Sequence, residues 1–115
     1  MTTKLSFGRD VQGYNSFAPA PSTDMFSASI PSGASASITV PSNFQNWIAS
    51  FSFQPGSDVW VSYTGTATPP AGATFASTAS ELLPGSRALL KATVVSFYNN
   101  GTDTADVGAI LYAVS

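Results

Sequence analysis

The side chains able to move protons or hold ions are few. The acids are Asp10, Asp24, Asp58, Glu81, Asp103 and Asp106; the cations are Lys4, Arg9, Arg87 and Lys91. Paired carboxylates can cleave glycosides when they flank the bond, but nothing in the spacing of these six brings two of them to one substrate. A serine nucleophile needs a base beside it. The chain has no histidine, and neither Ser-x-x-Lys nor Gly-x-Ser-x-Gly occurs. It also has no cysteine, which excludes disulfides, thiolate metal sites and a thiol nucleophile. The expectation is a chain that is not an enzyme and carries no cofactor.

One cluster could attract a hard cation. Asp103-Thr104-Ala105-Asp106 lies near Asn99 and Asn100, and such ions take oxygen ligands. The spacing is not that of an EF-hand, and turn chemistry is the plainer role. Asn100-Gly101-Thr102 fits a glycosylation sequon but reads first as an Asn-Gly turn. No glycine-rich phosphate loop is present. Four cations and a net charge of −2 are too little to neutralise a nucleic-acid backbone. The first ten residues lack the apolar core of a secretory signal, and no apolar run approaches a membrane span. The expectations are no nucleic acid, no membrane, and synthesis in a cytoplasm.

The elements that must position these residues follow from composition. Only 9% of the 115 residues are charged, against about a quarter in ordinary domains. Hydroxyls replace charge, with 18 serines and 12 threonines. The 9 glycines and 8 prolines punctuate short runs. Residues 1–25 show neither strand nor helix period and read as an extended arm whose Phe7, Tyr14 and Phe17 dock on this subunit or a neighbour. From residue 26 apolar residues alternate with serine. Phe26, Ala28 and Ile30, then Ala36, Ile38 and Val40, predict a hairpin with one apolar and one hydroxyl face. Trp47, Ala49, Phe51 and Phe53 share one face of the next run; Val59, Val61 and Tyr63 share a face of the run after it, leaving Trp60 opposite. Residues 65–86 are weaker: a Pro-rich loop, a short strand at 74–76 and one helical turn at Ser80–Leu83.

Residues 87–98 and 106–114 predict two long strands that are apolar on both parities. A sheet face turned to water reads polar, so the second face needs a cover: the arm, a neighbouring subunit, or else a twist that shifts which face is buried. Trp60, Phe97 and Tyr112 join Phe7, Tyr14 and Phe17 as candidate partner-interface residues. Large aromatics anchor interfaces because they bury much area with little rotamer freedom. The pattern predicts one all-β domain over 26–115, an antiparallel sandwich of jelly-roll-like or immunoglobulin-like order.

A resemblance joins this reading. Asp58-Val59-Trp60-Val61, the Thr/Pro/Gly loop after it, Ser80-Glu81-Leu82-Leu83-Pro84-Gly85-Ser86-Arg87 and the closing Ala109-Ile110-Leu111-Tyr112-Ala113-Val114 resemble small all-β virion proteins of tailed bacteriophages. The resemblance covers residues 45–115 and rests on style and order. It implies a capsid decoration or cement protein, commonly a homotrimer, bound to the major capsid protein or another virion protein. It offers no active-site residue. Scarcity of basic residues favours the outer shell over the face turned to packaged DNA. The alternative is a tail or fibre module that recognises a carbohydrate or cell surface.

Overall fold

A computed structural model describes residues 2–4, 7–9, 15–19, 21–77 and 79–114, with the backbone alone described at 7–9 and 15–19. The described chain is all β. Strands β1 (Phe7–Arg9) and β2 (Asn15–Pro19) pair with each other. The sandwich contains β3 (Asp24–Ile30), β4 (Ser35–Thr39), β5 (Asn46–Phe53), β6 (Val59–Ser62), β7 (Glu81–Leu82), β8 (Ser86–Leu90), β9 (Val94–Asn99) and β10 (Ala105–Val114). One sheet has the order β3-β10-β5-β8 and the other β4-β9-β6-β7.

This order is that of a jelly roll. β3 pairs with β10, β4 with β9, β5 with β8 and β6 with β7, all antiparallel. The sandwich is one long folded hairpin, rolled so that successive pairs alternate between sheets. Its tip is the loop between β6 and β7. Two further pairings, β5–β10 and β6–β9, close the roll. The immunoglobulin-like alternative falls on this order.

The period of two decides the core. Trp47, Ala49 and Phe51 of β5, Val59 and Val61 of β6, Val95 and Phe97 of β9, and the odd residues Ala105–Ala113 of β10 are all buried between the sheets. Phe51 packs edge-on against Phe97, centroids 5.9 Å apart. The Trp47 indole, fully buried, donates to the Phe44 carbonyl at 3.0 Å.

Several expectations need correction. β3 and β4 do not form a hairpin. Their apolar faces meet the same core from opposite sheets, and Gly33, at φ 72, turns the chain between them. Alternation shows which residues point inward, but says nothing about which sheet they belong to. The long strand expected over 87–98 is two strands in different sheets. It breaks at Ala92, which sits at φ 63, while Lys91 and Ala92 donate to the carbonyls of Gln45 and Val40. Ser80–Leu83 is no helical turn, because Leu82 pairs with Trp60. Residues 74–76 form no strand.

Within the region expected as an arm, β1 pairs with β2, and Asp24 and Met25 pair with Leu111 and Ile110 as part of β3. Residues 2–4 dock on their own sandwich. Ala113 donates to the Thr3 carbonyl at 2.9 Å, and Asn43 Nδ2 donates to Thr2 Oγ1 at 2.6 Å. Lys4 Nζ lies 5.0 Å above the Phe44 ring, a cation–π contact.

Gly108 marks a close approach within the first sheet. A Cβ built there would meet Ser52 Oγ at 2.6 Å. That oxygen ends an exposed side chain that can turn away, so Gly108→Ala is expected to change stability by less than about 1 kcal/mol. A thermal melt showing a larger loss would mean that Ser52 cannot turn.

Candidate functional site

Of the expected interface residues, the three whose side chains are described, Trp60, Phe97 and Tyr112, do not share one surface. Tyr14 lies outside the described residues, and Phe7 and Phe17 fall on β1 and β2, where only the backbone is described. Phe97 is core, 4% exposed between the sheets, so its assignment to an interface is withdrawn. The reason is register: Phe97 pairs with inward Val61 and Ala36. Tyr112 is on the outward face of β10, opposite Ile48, yet only 7% exposed. Trp60 is on the outward face of the second sheet and half-buried, its indole donating to Asp58 Oδ1 at 2.8 Å.

The second apolar face of β9 is covered, in part, by neither the arm nor a neighbour. The β6–β7 loop folds back over it. Ala67 is buried there, and its N–H is held by Ser96 Oγ at 3.0 Å. Ser62 and Ser96 are buried on the same outward face. Thr68 donates its N–H to Ser80 Oγ at 3.1 Å, which ties the two arms of the loop. Between the loop and Trp60 is a groove of about 510 Å³, bordered by Pro69, Pro70, Phe75 and Ala79.

At the other end of the sandwich a second apolar opening appears, of about 450 Å³. It separates the edge strands β3 and β4. Phe26 and Ala28 point inward from β3 yet remain exposed, facing Ala36 and Ile38 of β4, with Phe97 and Val107 at its floor. Comparison with protein-family models, curated proteins and solved structures finds no match. The chemistry of these surfaces therefore rests on their own residues.

The polar residues serve structure. Asn99, expected as a turn residue, is 1% exposed. Its Nδ2 donates to the carbonyls of Ile30 and Asp103, each at 2.8 Å, and its Oδ1 accepts from Gly101 N–H at 2.9 Å. Asp106 Oδ1 accepts from Ser29, and Asp58 accepts from Trp60 and Asn100. Among the described residues no group of three or more acids is gathered to hold a metal. No described helix is long and apolar enough to cross a membrane.

Glu81 and Arg87 form an ion pair in which Arg87 Nε lies 3.0 Å from both carboxylate oxygens. The guanidinium holds the Glu81 carboxyl below its ordinary range. Burial first, and then the Glu81 carboxylate, push the Tyr63 phenol upward, although Tyr63 Oη makes no hydrogen bond of standard geometry. A depressed carboxyl stabilises the fold above its unfolded pKa, and that contribution is lost as pH falls through the folded value. The expected loss on acidification is small, since the pair is part-exposed and screened by salt. Melts of Glu81→Gln from neutral to acid pH should lack this increment. An unchanged acid slope would count against it.

The loop phenylalanine was missed by period-based reading. Phe75 is fully exposed, at 104%. Its signal was present: it is the lone aromatic in residues 64–80, which carry no charge.

Proposed function

We propose that this chain is a bacteriophage virion structural protein, a decoration or cement protein on the outer capsid that works as a homo-oligomer. The observation that carries the reading is uncovered apolar surface on a jelly roll short of charge. Met25, Phe75, Leu82, Leu90 and Val94 are large, apolar and at least half exposed or nearly so. They are spread over both sheets and the β6–β7 loop, so burying them takes more than one neighbour, as a protein set between shell subunits would have. The jelly roll supports the reading by analogy, since capsid proteins use it, as lectins and cupins also do. The mechanism is mechanical: apolar anchors bury against the major capsid protein and against other copies, and no bond is made or broken.

The test is a cryo-EM map of the particle that carries the chain. The expected result is jelly-roll density over joints between capsid subunits, and shells lacking the chain should open at lower temperature. Density confined to the tail would overturn the cement role.

A second reading keeps the Trp60 groove as a carbohydrate site in a tail or fibre module. It is favoured by an indole at the wall of a groove bordered by prolines and hydroxyls. A glycan array should then give hits that Trp60→Ala abolishes; an empty array removes this reading.

A further inference from the structure

The described surface holds a projecting apolar knob and an apolar cleft, and they lie at opposite ends of the sandwich. The knob is Phe75, whose loop joins β6 to β7 and packs over Trp60. The cleft lies between β3 and β4, at the far end of both sheet orders. A ring on the β7 side cannot fill an opening on the β4 side of the same molecule. A second molecule can supply it.

We propose that Phe75 of one copy inserts into the β3–β4 cleft of the next copy, so that the chain assembles head to tail. Four observations support this. The cleft exposes Phe26, 38% accessible, and Ala28 on the inward face of β3, where the rest of the sandwich buries its residues. No charged residue lines it. Its volume, about 450 Å³, exceeds what one phenyl ring occupies. The knob's loop is equally free of charge, so neither side pays a desolvation cost for an ion. Knob and cleft are different patches, so the contact is heterologous, and a heterologous contact closes into a ring when its rotation permits. The inference rests on the assembling role proposed above and names the surfaces that do it.

Sedimentation of the full chain over a concentration series tests it. The wild type is expected to self-associate. Phe75→Asp and Ala28→Glu should each weaken association by about 10- to 100-fold, as loss of one well-buried aromatic anchor implies. Mixing the two variants should restore a heterodimer and nothing larger, because one intact knob meets one intact cleft. Melts of each variant check that it folds. Should Ala28→Glu fail to fold, cysteine pairing decides instead: the chain has no cysteine, so Phe75→Cys mixed with Ala36→Cys should give a disulfide between copies under oxidation. Oligomers that survive both charge variants, or that fail to cross-link, would overturn the contact and leave the capsid reading intact. A wild type that stays monomeric at about millimolar concentration also overturns it, while attachment to shells is judged separately on the particle.

Discussion

Asn99→Leu is expected to destabilise the domain by at least about 3 kcal/mol, seen as a fall of more than about 10 °C in the melting midpoint. The side chain is buried and fully used. It binds the Ile30 carbonyl before the β3–β4 turn and the Asp103 carbonyl before β10, and accepts from Gly101. Its own backbone adds bonds to Ala34 and Gly33. One residue thus ties the ends of β3, β9 and β10. Leucine would leave two carbonyls and one N–H without partners, each costing about 1–3 kcal/mol where water cannot replace the bond. Asn99→Asp gives the sharper experiment. It sets a carboxylate against two carbonyl oxygens, so protonation is favoured in the fold. The loss should shrink as pH falls through the raised folded value and level off below the ordinary aspartate value, because the acid form restores one donor. A variant with an unchanged midpoint, or one whose deficit is flat with pH, would refute the role given to Asn99.

Phe97→Ala is expected to cost about 3–5 kcal/mol, whatever the protein concentration. Phe97 packs on Phe51 at the centre of the sandwich, and Phe51 also touches Tyr63 at 6.3 Å between centroids. Removing the ring leaves a cavity that rigid sheets on both sides cannot close. Denaturant melts at two protein concentrations separate this from an interface role. A large deficit at both supports the core; a deficit that vanishes on dilution would return Phe97 to an interface.

The sequence made the faces readable and left the connections hidden. Alternation in β5 and β6 put Trp47, Ala49, Phe51, Val59 and Val61 on one face, and they are inward; β10, apolar on both parities, left its inward face undecided, and the structure buries the odd residues between the sheets. Local pattern carries that information because side chains alternate strictly along a strand. It could not show that β3 and β4 belong to different sheets, since two facing layers and one hairpin have the same alternation. The break at Ala92 was also silent. Left-handed backbone normally announces itself with glycine or asparagine, and here tertiary pairing of Lys91 and Ala92 imposes it on alanine. Ala67, which covers part of β9, lies in a Thr/Gly/Pro stretch with no period at all. The interface candidates were chosen for being aromatic, and that selects core as readily as surface. Trp60 kept a place at a groove, whereas Phe97 did not.

The rolled hairpin has a consequence for how the chain is made. β10 lies in the interior of its sheet, between β3 and β5. As the chain leaves the ribosome, β3 and β5 must wait for it while the 51 residues between Phe53 and Ala105 are made. During that wait the two walls that hold Trp47, Phe51 and Val59 lack their interior strands β9 and β10. Contacts so distant in sequence make for slow folding and for aggregation-prone intermediates. The nascent chain therefore needs shelter until Ala105–Val114 emerge, and the abundant serine and threonine of the unfinished strands keep it hydrated meanwhile.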